Sequence, residues 1–194
     1  ENVGRIDEPN IEKIVALEPD LVIAASVTKI ESLERLTDFG IPIALGERLF
    51  SRWDYKHILS LGYTDIIQPD LSHAGGISEV KKIATMAEAF DVAVAPHCPL
   101  GPISLSAAIQ VDTCTPNVFI QEQSLGIHYN KENDLLDYIK NQEVFDYEDG
   151  YVTIPEKPGL GIEVNEEYVR ERAAQGHNWK NPVWRNEDGT IAEW

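Results

Sequence analysis

Four polar residues capable of acid–base or metal chemistry recur at nearly equal steps along the chain. Glu47, Asp70, His97 and Glu122 are separated by steps of 23, 27 and 25 residues, and each follows a short apolar run. One strand, one helix and two loops need about this length in a repeated βα unit. Because polar groups at the carboxyl ends of successive barrel strands face one cavity, we expect the four side chains to meet.

The residue types at these positions suit removal of a proton next to a carboxylate. A histidine that a neighbouring aspartate holds in one tautomer, as Asp70 would hold His97, is a general base of raised basicity. A carboxylate at a strand end, such as Glu47, is a common Mg²⁺ ligand, and a metal that neutralises an ene-diolate would complete the scheme. Each residue alone has an ordinary structural explanation, and it is the ordered set that favours chemistry.

Apolar and amphipathic stretches alternate along the chain and predict the units that would position these residues. Strands are predicted near 21–25, 41–45, 65–68, 92–95 and 118–121, and helices near 11–17, 30–39, 53–61, 77–90 and 102–113. Apolar runs without strict alternation are typical of parallel strands covered on both faces. Two further helices are predicted near 133–141 and 165–175, in a region otherwise rich in turns.

Charge and cysteine usage exclude several classes of function. The 16 basic and 33 acidic residues give a net charge of −17, which argues against a nucleic-acid or anionic-membrane surface. No apolar stretch approaches the ~20 residues of a membrane span. Cys98 and Cys114 have no metal-type spacing and indicate reduced thiols, so we expect a cytoplasmic protein. Cys98 follows His97 directly and is either a pocket residue or an ordinary thiol.

The length of the chain leaves room for only part of a barrel. It has 194 residues, whereas a complete barrel typically needs ~250. The first residue is Glu1 rather than methionine, so we expect a piece of a longer protein. A shortened barrel would expose apolar strand edges and faces, and a homo-oligomer formed through them is a further expectation.

Five collinear motifs carry a resemblance to a known family. They are Gly46–Arg52, Gln68–Ile77, Ala95–Pro102, Gln121–Ser124 and Pro182–Trp194. Over about residues 41–194 the chain resembles the D-galactonate dehydratases, in the mandelate racemase subgroup of the enolase superfamily. The resemblance implies a TIM-type barrel with a separate α+β capping domain. It also implies Mg²⁺-dependent dehydration of a small sugar acid, D-galactonate, to a 2-keto-3-deoxy acid.

The resemblance implies a role for each of the four polar residues. Glu47 matches a carboxylate metal ligand on the fifth barrel strand, and Asp70 and His97 match an Asp–His dyad on the sixth and seventh. His97 would exchange the proton, and Asp70 would raise its basicity. Glu122, on the eighth strand, matches the acid that stabilises the intermediate. His73, just beyond Asp70, either lines the pocket and binds substrate or is an exposed loop residue.

The first fifth of the chain departs from the family pattern. Where the family has Asp-x-His-Gly-Arg, the chain begins Glu-Asn-Val-Gly-Arg, so the metal-binding Asp is at best replaced by Glu1 and the second catalytic histidine by Val3. Where the fourth strand should end in Glu-Glu-Pro, the chain has Ala24-Ala25-Ser26. Residues 3–43 instead resemble a segment of periplasmic siderophore- or cobalamin-binding proteins, a βαβα piece of another α/β fold.

These resemblances predict three regions and leave two interpretations open. The regions are a foreign-looking βαβα segment at 1–43, barrel βα units at 44–128, and a C-terminal subdomain and tail at 129–194. One interpretation is a Mg²⁺-dependent sugar-acid dehydratase. The alternative is a non-catalytic chimeric or truncated α/β scaffold that retains relic site residues. Since one carboxylate would hold Mg²⁺ weakly, we expect little or no activity from the 194 residues alone.

Overall fold

Four short strands form a parallel sheet that carries the candidate site. The computed structural model describes residues 2–126, 134–176 and 185. The strands lie in the order β1 to β4 and comprise β1 Val22–Ile23, β2 Ile43–Leu45, β3 Ile66–Ile67 and β4 Ala93–Val94. In the ladder, Val22 pairs with Ile43, Ala44 with Ile66, and Ile66 with Ala93.

Helices connect these strands in regular alternation. They are α1 Ile11–Ala16, α2 Ile30–Asp38, α3 Arg52–Leu61, α4 Ile77–Glu88, α5 Pro102–Asp112 and α6 Glu166–Gln175. The strands β1 to β4 are followed in turn by the helices α2 to α5, which makes four consecutive βα units. Parallel strands joined in this way bring all their carboxyl ends to one edge, so the loops after the strands share one side of the molecule.

Local sequence explains where several helices begin. The Asn10 side chain accepts a hydrogen bond from the Lys13 amide at 2.9 Å and caps α1. Ser51 and Asp54 form a reciprocal capping box at the start of α3. Such caps satisfy amide groups that have no partner within the helix.

Two apolar clusters hold the helices against the sheet. One joins α3, α4 and α5 to β3 and β4, with Tyr55, Ile67 and Ile83 at its centre. The other joins α1 and α2 to β1 and β2, with Ile11, Leu36, Ile43 and Leu45 fully buried. At about 25 cal/mol per Å² of apolar surface removed from water, such clusters are the main source of stability for the sheet and its helices.

Two predicted elements differ from the structure, and one further element was not predicted. The predicted strand at 118–121 is reduced to one bridge between Val118 and Val94, and Phe119 and Ile120 are exposed, so no neighbour extends the ladder. The predicted helix at 133–141 is replaced by two 3₁₀ turns, Leu135–Tyr138 and Gln142–Phe145. A short hairpin, β5 Tyr147–Glu148 and β6 Tyr151–Val152, was not predicted.

Several sequence expectations lie outside the described residues. They concern Glu1 and, apart from Arg185, the motif Pro182–Trp194. Within the described ranges, none of the helices has the length and apolar character that crossing a membrane requires.

Candidate active site

The four predicted site residues lie just beyond the carboxyl ends of neighbouring strands. Glu47 follows β2, Asp70 follows β3, His97 follows β4, and Glu122 follows the Val118 bridge. Adjacent parallel strands are ~4.8 Å apart, so side chains at equivalent positions come within contact distance. The equal spacing seen in the sequence therefore corresponds to a real spatial cluster.

His97 and Asp70 form the central contact of this cluster. The Nδ1 atom of His97 lies 2.8 Å from Oδ2 of Asp70, whose side chain is fully buried. The other carboxylate oxygen, Oδ1, accepts a hydrogen bond from the Ser72 amide at 2.6 Å. An ionised carboxylate only accepts hydrogen bonds, so Nδ1 carries the hydrogen and the tautomer of His97 is set by Asp70.

Glu47 approaches the opposite nitrogen of the same ring. Its Oε2 lies 3.3 Å from Nε2 of His97, and its Oε1 lies 3.5 Å from Nε of Arg48. The preceding residue, Gly46, has φ +128°, and a Cβ there would lie 3.2 Å from the Gln68 amide nitrogen. The Tyr55 hydroxyl donates to the Gly46 carbonyl at 2.6 Å. A glycine and a buried tyrosine thus set the backbone that carries Glu47.

Glu122 is tied to the loop that carries His97. Its Oε2 accepts a hydrogen bond from the Cys98 amide at 3.2 Å. The neighbouring Gln121 donates through Nε2 to the Pro96 carbonyl at 2.9 Å, while its Oε1 is buried without a hydrogen-bond partner among the described residues. Gln121 therefore links the two strand ends.

The charges around His97 shift the pKa values of the dyad. Burial disfavours the charged imidazole, but the hydrogen bond to Asp70 and the charges of Glu122, Asp70 and Glu47 outweigh it, so the pKa of His97 is raised. Burial likewise disfavours ionised Asp70, but the hydrogen bonds from His97 and the Ser72 amide prevail, and the pKa of Asp70 is lowered. The carboxylates on both sides of the ring therefore favour the imidazolium of His97 more than water does.

A cavity of about 290 Å³ opens beside this cluster. Its polar wall consists of Glu47, Gln68, His97, Gln121 and Glu122. Its apolar wall includes Ile23, Phe119 and Ile120, whose side chains are strongly exposed. The arrangement of an acid–base group beside carboxylates and an amide suits a small polar molecule with several hydroxyl groups.

The donor set does not by itself fit a Mg²⁺ site. Mg²⁺ requires oxygen ligands in octahedral geometry. Glu47 is already placed between the imidazole of His97 and the guanidinium of Arg48. The neighbouring strand β1 continues into Ala24 and Ala25, which have no side-chain oxygen. Val3 packs against the apolar cluster of α1 and α2 and adds no donor.

The structure shows the surroundings of His73 and Cys98, the two residues for which the sequence left two roles open. His73 is an exposed residue of the turn after Asp70, and its Nδ1 lies 3.9 Å from Oδ2 of Asp70. It also contacts the ring of Phe50 edge-on, with centroids 6.0 Å apart. Cys98 is buried, and burial raises the pKa of its thiol to about 11, which disfavours a reactive thiolate.

A family model matches most of the chain around this site. The model for enolase C-terminal domain-like proteins covers residues 24–168. The chain belongs to the enolase C-terminal domain-like family. This assignment identifies the βα units within residues 24–168 as part of a TIM-type barrel, the fold that the resemblance implied.

Two curated relatives that match this chain are both D-galactonate dehydratases. A D-galactonate dehydratase of Ralstonia pickettii is 57% identical over 154 residues, which are 79% of this chain and 40% of the relative. A D-galactonate dehydratase of Ralstonia nicotianae is 50% identical over 197 residues, which are 98% of this chain and 52% of the relative. The chain thus spans about half the length of the curated relatives that it matches.

Solved structures of enolase-superfamily proteins share the fold. A mandelate racemase/muconate lactonizing enzyme from Labrenzia alexandrii aligns with TM-score 0.69 and 30% identity, over 84% of this chain and 42% of that chain. A galactarate dehydratase-like enolase from Agrobacterium radiobacter, bound to Na and L-malate, aligns with TM-score 0.67 and 29% identity. The second alignment covers 87% of this chain and 45% of that chain.

Proposed function

We propose that this chain carries the proton-transfer half of a sugar-acid dehydratase site that acts on D-galactonate. The observation that carries the proposal is the His97–Asp70 contact, with Nδ1 held at 2.8 Å and Nε2 on the side of the cavity wall formed by Glu47. The names of the relatives supply the substrate, because both are D-galactonate dehydratases.

In the proposed reaction, His97 removes the hydrogen from the carbon next to the substrate carboxylate. The C–H bond electrons form an enediolate with the carboxylate, the hydroxyl on the following carbon takes up the proton that His97 now carries and leaves as water, and the resulting enol tautomerises to a 2-keto-3-deoxy acid. Asp70 keeps the Nδ1–H in place and stabilises the imidazolium that forms. Glu122 lines the same cavity and is proposed to hydrogen-bond the enolic intermediate.

The contact between Glu47 and His97 sets a condition for this reaction. Nε2 can accept a proton only when the imidazole is neutral and Glu47 leaves room for the substrate. Glu47 is the residue of this site that would ligate Mg²⁺, which would stabilise negative charge on the intermediate. Since the residues present do not complete a Mg²⁺ site, no step above depends on the metal.

The function is tested by incubating the full chain with D-galactonate and Mg²⁺ and measuring the 2-keto-3-deoxy acid. Without a complete metal site, loss of several kcal/mol of stabilisation lowers the rate on the order of 10³-fold or more, so we expect slow turnover. His97→Gln should abolish it, whereas His57→Gln, at an exposed position on α3, should not.

Equal background rates for the chain and its His97→Gln variant would instead favour the alternative, an α/β scaffold with relic site residues. Fast Mg²⁺-dependent turnover would show that the site binds the metal despite its donor set.

The proposal also includes a cytoplasmic location, which the free thiols of Cys98 and Cys114 support. It further includes association into a homo-oligomer, supported by exposed Ile23 and Phe119.

A further inference from the structure

Three potential metal ligands meet on the side of His97 that faces away from Glu47. Asp70, His73 and His97 each place one donor atom so that all three atoms lie within 4.8 Å of one another. Asp70 is fully buried, the side chain of His97 is 15% exposed, and that of His73 is 41% exposed. His73 has no part in the proposed proton transfer, so its approach to the dyad calls for a separate explanation.

The composition of this cluster favours a different cation from Mg²⁺. Two imidazoles and one carboxylate form a nitrogen-rich donor set, which suits Zn²⁺, Co²⁺ or Ni²⁺. Mg²⁺ prefers oxygen ligands. The surrounding charge also favours a dication, since Oε2 of Glu47 lies 3.3 Å from Nε2 of His97 and Oε2 of Glu122 accepts a hydrogen bond from the amide of the next residue, Cys98. Chemistry and charge therefore point to an imidazole-preferring metal.

We propose that Asp70, His73 and His97 form a binding site for a transition-metal dication of the Zn²⁺ class, separate from the Glu47 position. Occupation would use Oδ2 of Asp70, the atom that now accepts the His97 Nδ1–H. The metal would therefore displace that hydrogen and remove the contact on which proton transfer depends. Binding of the metal and action of His97 as a base exclude each other.

Closing this site requires the three donor atoms, which lie within 4.8 Å of one another, to adopt the spacing found around one ion. Donor atoms around a tetrahedral Zn²⁺ with bonds of about 2.0–2.1 Å lie roughly 3.4 Å apart, and Nδ1 of His73 is already 3.9 Å from Oδ2 of Asp70. The His73 amide donates to the Asp70 carbonyl at 3.1 Å, which anchors the turn. Because 41% of the His73 side chain is exposed and its ring packs edge-on against the exposed Phe50, the His73 ring can rotate without disturbing the core. Water would complete the coordination.

The test is metal binding by the full chain, measured without turnover, so it does not depend on the proposed function. Co²⁺ is titrated while its visible absorption is recorded, and Zn²⁺ affinity is measured by calorimetry. Loss of a residue that only hydrogen-bonds a metal ligand already costs ~10-fold in affinity. His73→Gln removes a ligand itself, so it should weaken Zn²⁺ binding by more than this. The matched variant His57→Gln, which removes an exposed histidine elsewhere, should bind as the unaltered chain does.

A second measurement identifies the ligands without altering the protein. Zn²⁺ should shift the ring ¹⁵N signals of His73 and His97 together in the NMR spectrum and leave those of His57 unchanged. Equal affinity in the chain and the His73→Gln variant would overturn the proposal, and so would Zn²⁺-induced shifts confined to other histidines. If Mg²⁺ produced the same shifts at equal concentration, the claimed preference for imidazole-binding metals would be wrong.

Discussion

At the scale of single residues, His97 has the surroundings that decide the chemistry. Asp70 contacts one ring nitrogen at 2.8 Å and Glu47 lies 3.3 Å from the other. Two carboxylates on opposite sides stabilise the imidazolium, so its pKa is raised although burial opposes the charge. Since a base must be neutral to take a proton, turnover should increase as the pH passes through this raised value.

We predict that Asp70→Asn lowers the pKa of His97. The substitution removes both the charged hydrogen-bond acceptor and a nearby negative charge, two of the causes that raise that pKa. The measurement is a pH titration of the histidine ring ¹⁵N signals by NMR, with exposed His57 as the internal reference. An unchanged His97 pKa in the variant would show that the charges of Glu47 and Glu122 are sufficient to raise it.

The same substitution should change how stability depends on pH. His97 has a raised pKa, so its contribution is full below the ordinary value of 6.5 and is lost as the pH rises through the raised value. Asp70 has a lowered pKa, so its contribution is full above 3.8 and is lost as the pH falls through the lowered value. Urea unfolding should therefore show the largest difference between the chain and Asp70→Asn between these two ordinary values.

The sequence predicted that these four side chains cluster, because strand-end positions are fixed by spacing. Glu47, Asp70, His97 and Glu122 come together as expected. The hydrogen bond from Nε2 of Gln121 to the Pro96 carbonyl could not be predicted, since it depends on which carbonyl groups the folded loops bring near this side chain. The roles of the site residues stay predictions until turnover is measured.

At the scale of elements, short sequence signals mark the features that local contacts decide, such as helix ends and tight turns. Asn10 caps the start of α1, and Gly62 ends α3 in the left-handed conformation, so both residue types are local signals of helix ends. The hairpin of β5 and β6 also had a signal, the dipeptide Asp149-Gly150, whose residues both have positive φ as a two-residue turn requires. The predicted strand at 118–121 was wrong beyond Val118 because a strand needs a partner that sequence periodicity does not reveal.

Helix α5 contains an acid in an unfavourable place. Asp112 is its last residue, where the helix dipole disfavours negative charge, and no basic residue lies in the last turn. Its Oδ1 is buried without a hydrogen-bond partner among the described residues. Burial raises the pKa of Asp112 to about 7. The folded state therefore binds more protons than the unfolded state between pH 3.8, the ordinary value, and about 7.

We predict that Asp112→Asn removes the fall in the free energy of unfolding that Asp112 causes as the pH rises from 3.8 to about 7. In the unaltered chain, Asp112 lowers the free energy of unfolding as the pH rises, by at most about 1.4 kcal/mol per pH unit. The variant should be more stable than the parent above pH 7 and should depend less on pH. Urea unfolding at several pH values measures this. Asp38→Asn, at the exposed last residue of α2, is the matched control and should show no such gain.

At the scale of the whole molecule, the predicted boundary near residue 43 runs through a continuous core. Leu33 and Leu36 of α2 pack in one cluster with Ile43 and Leu45 of β2, and Ile58 of α3 packs against the same cluster. The ladder is also continuous, because Val22 of β1 pairs with Ile43 of β2. The different origin of residues 3–43 stays a prediction. Whatever that origin, we propose that this segment and the barrel units fold as one.

The last prediction follows from this shared core. Leu36 is 1% exposed, so Leu36→Ala should leave a cavity and lower the free energy of unfolding by about 2–5 kcal/mol. Urea unfolding by circular dichroism measures the loss, and Leu17→Ala, at an exposed position, should change it by only about 0.5 kcal/mol or less.

Hydrogen exchange shows whether that loss spreads through the molecule. In Leu36→Ala, amides of α4, on the far side of the sheet order from α2, should lose protection together with those of α1 and α2, because one cooperative unit opens as a whole. If α4 kept its protection while α1 and α2 lost theirs, residues 2–43 would be an independent unit. The site would then depend only on β2 to β4 and the Val118 segment, since all four of its polar residues follow those strands.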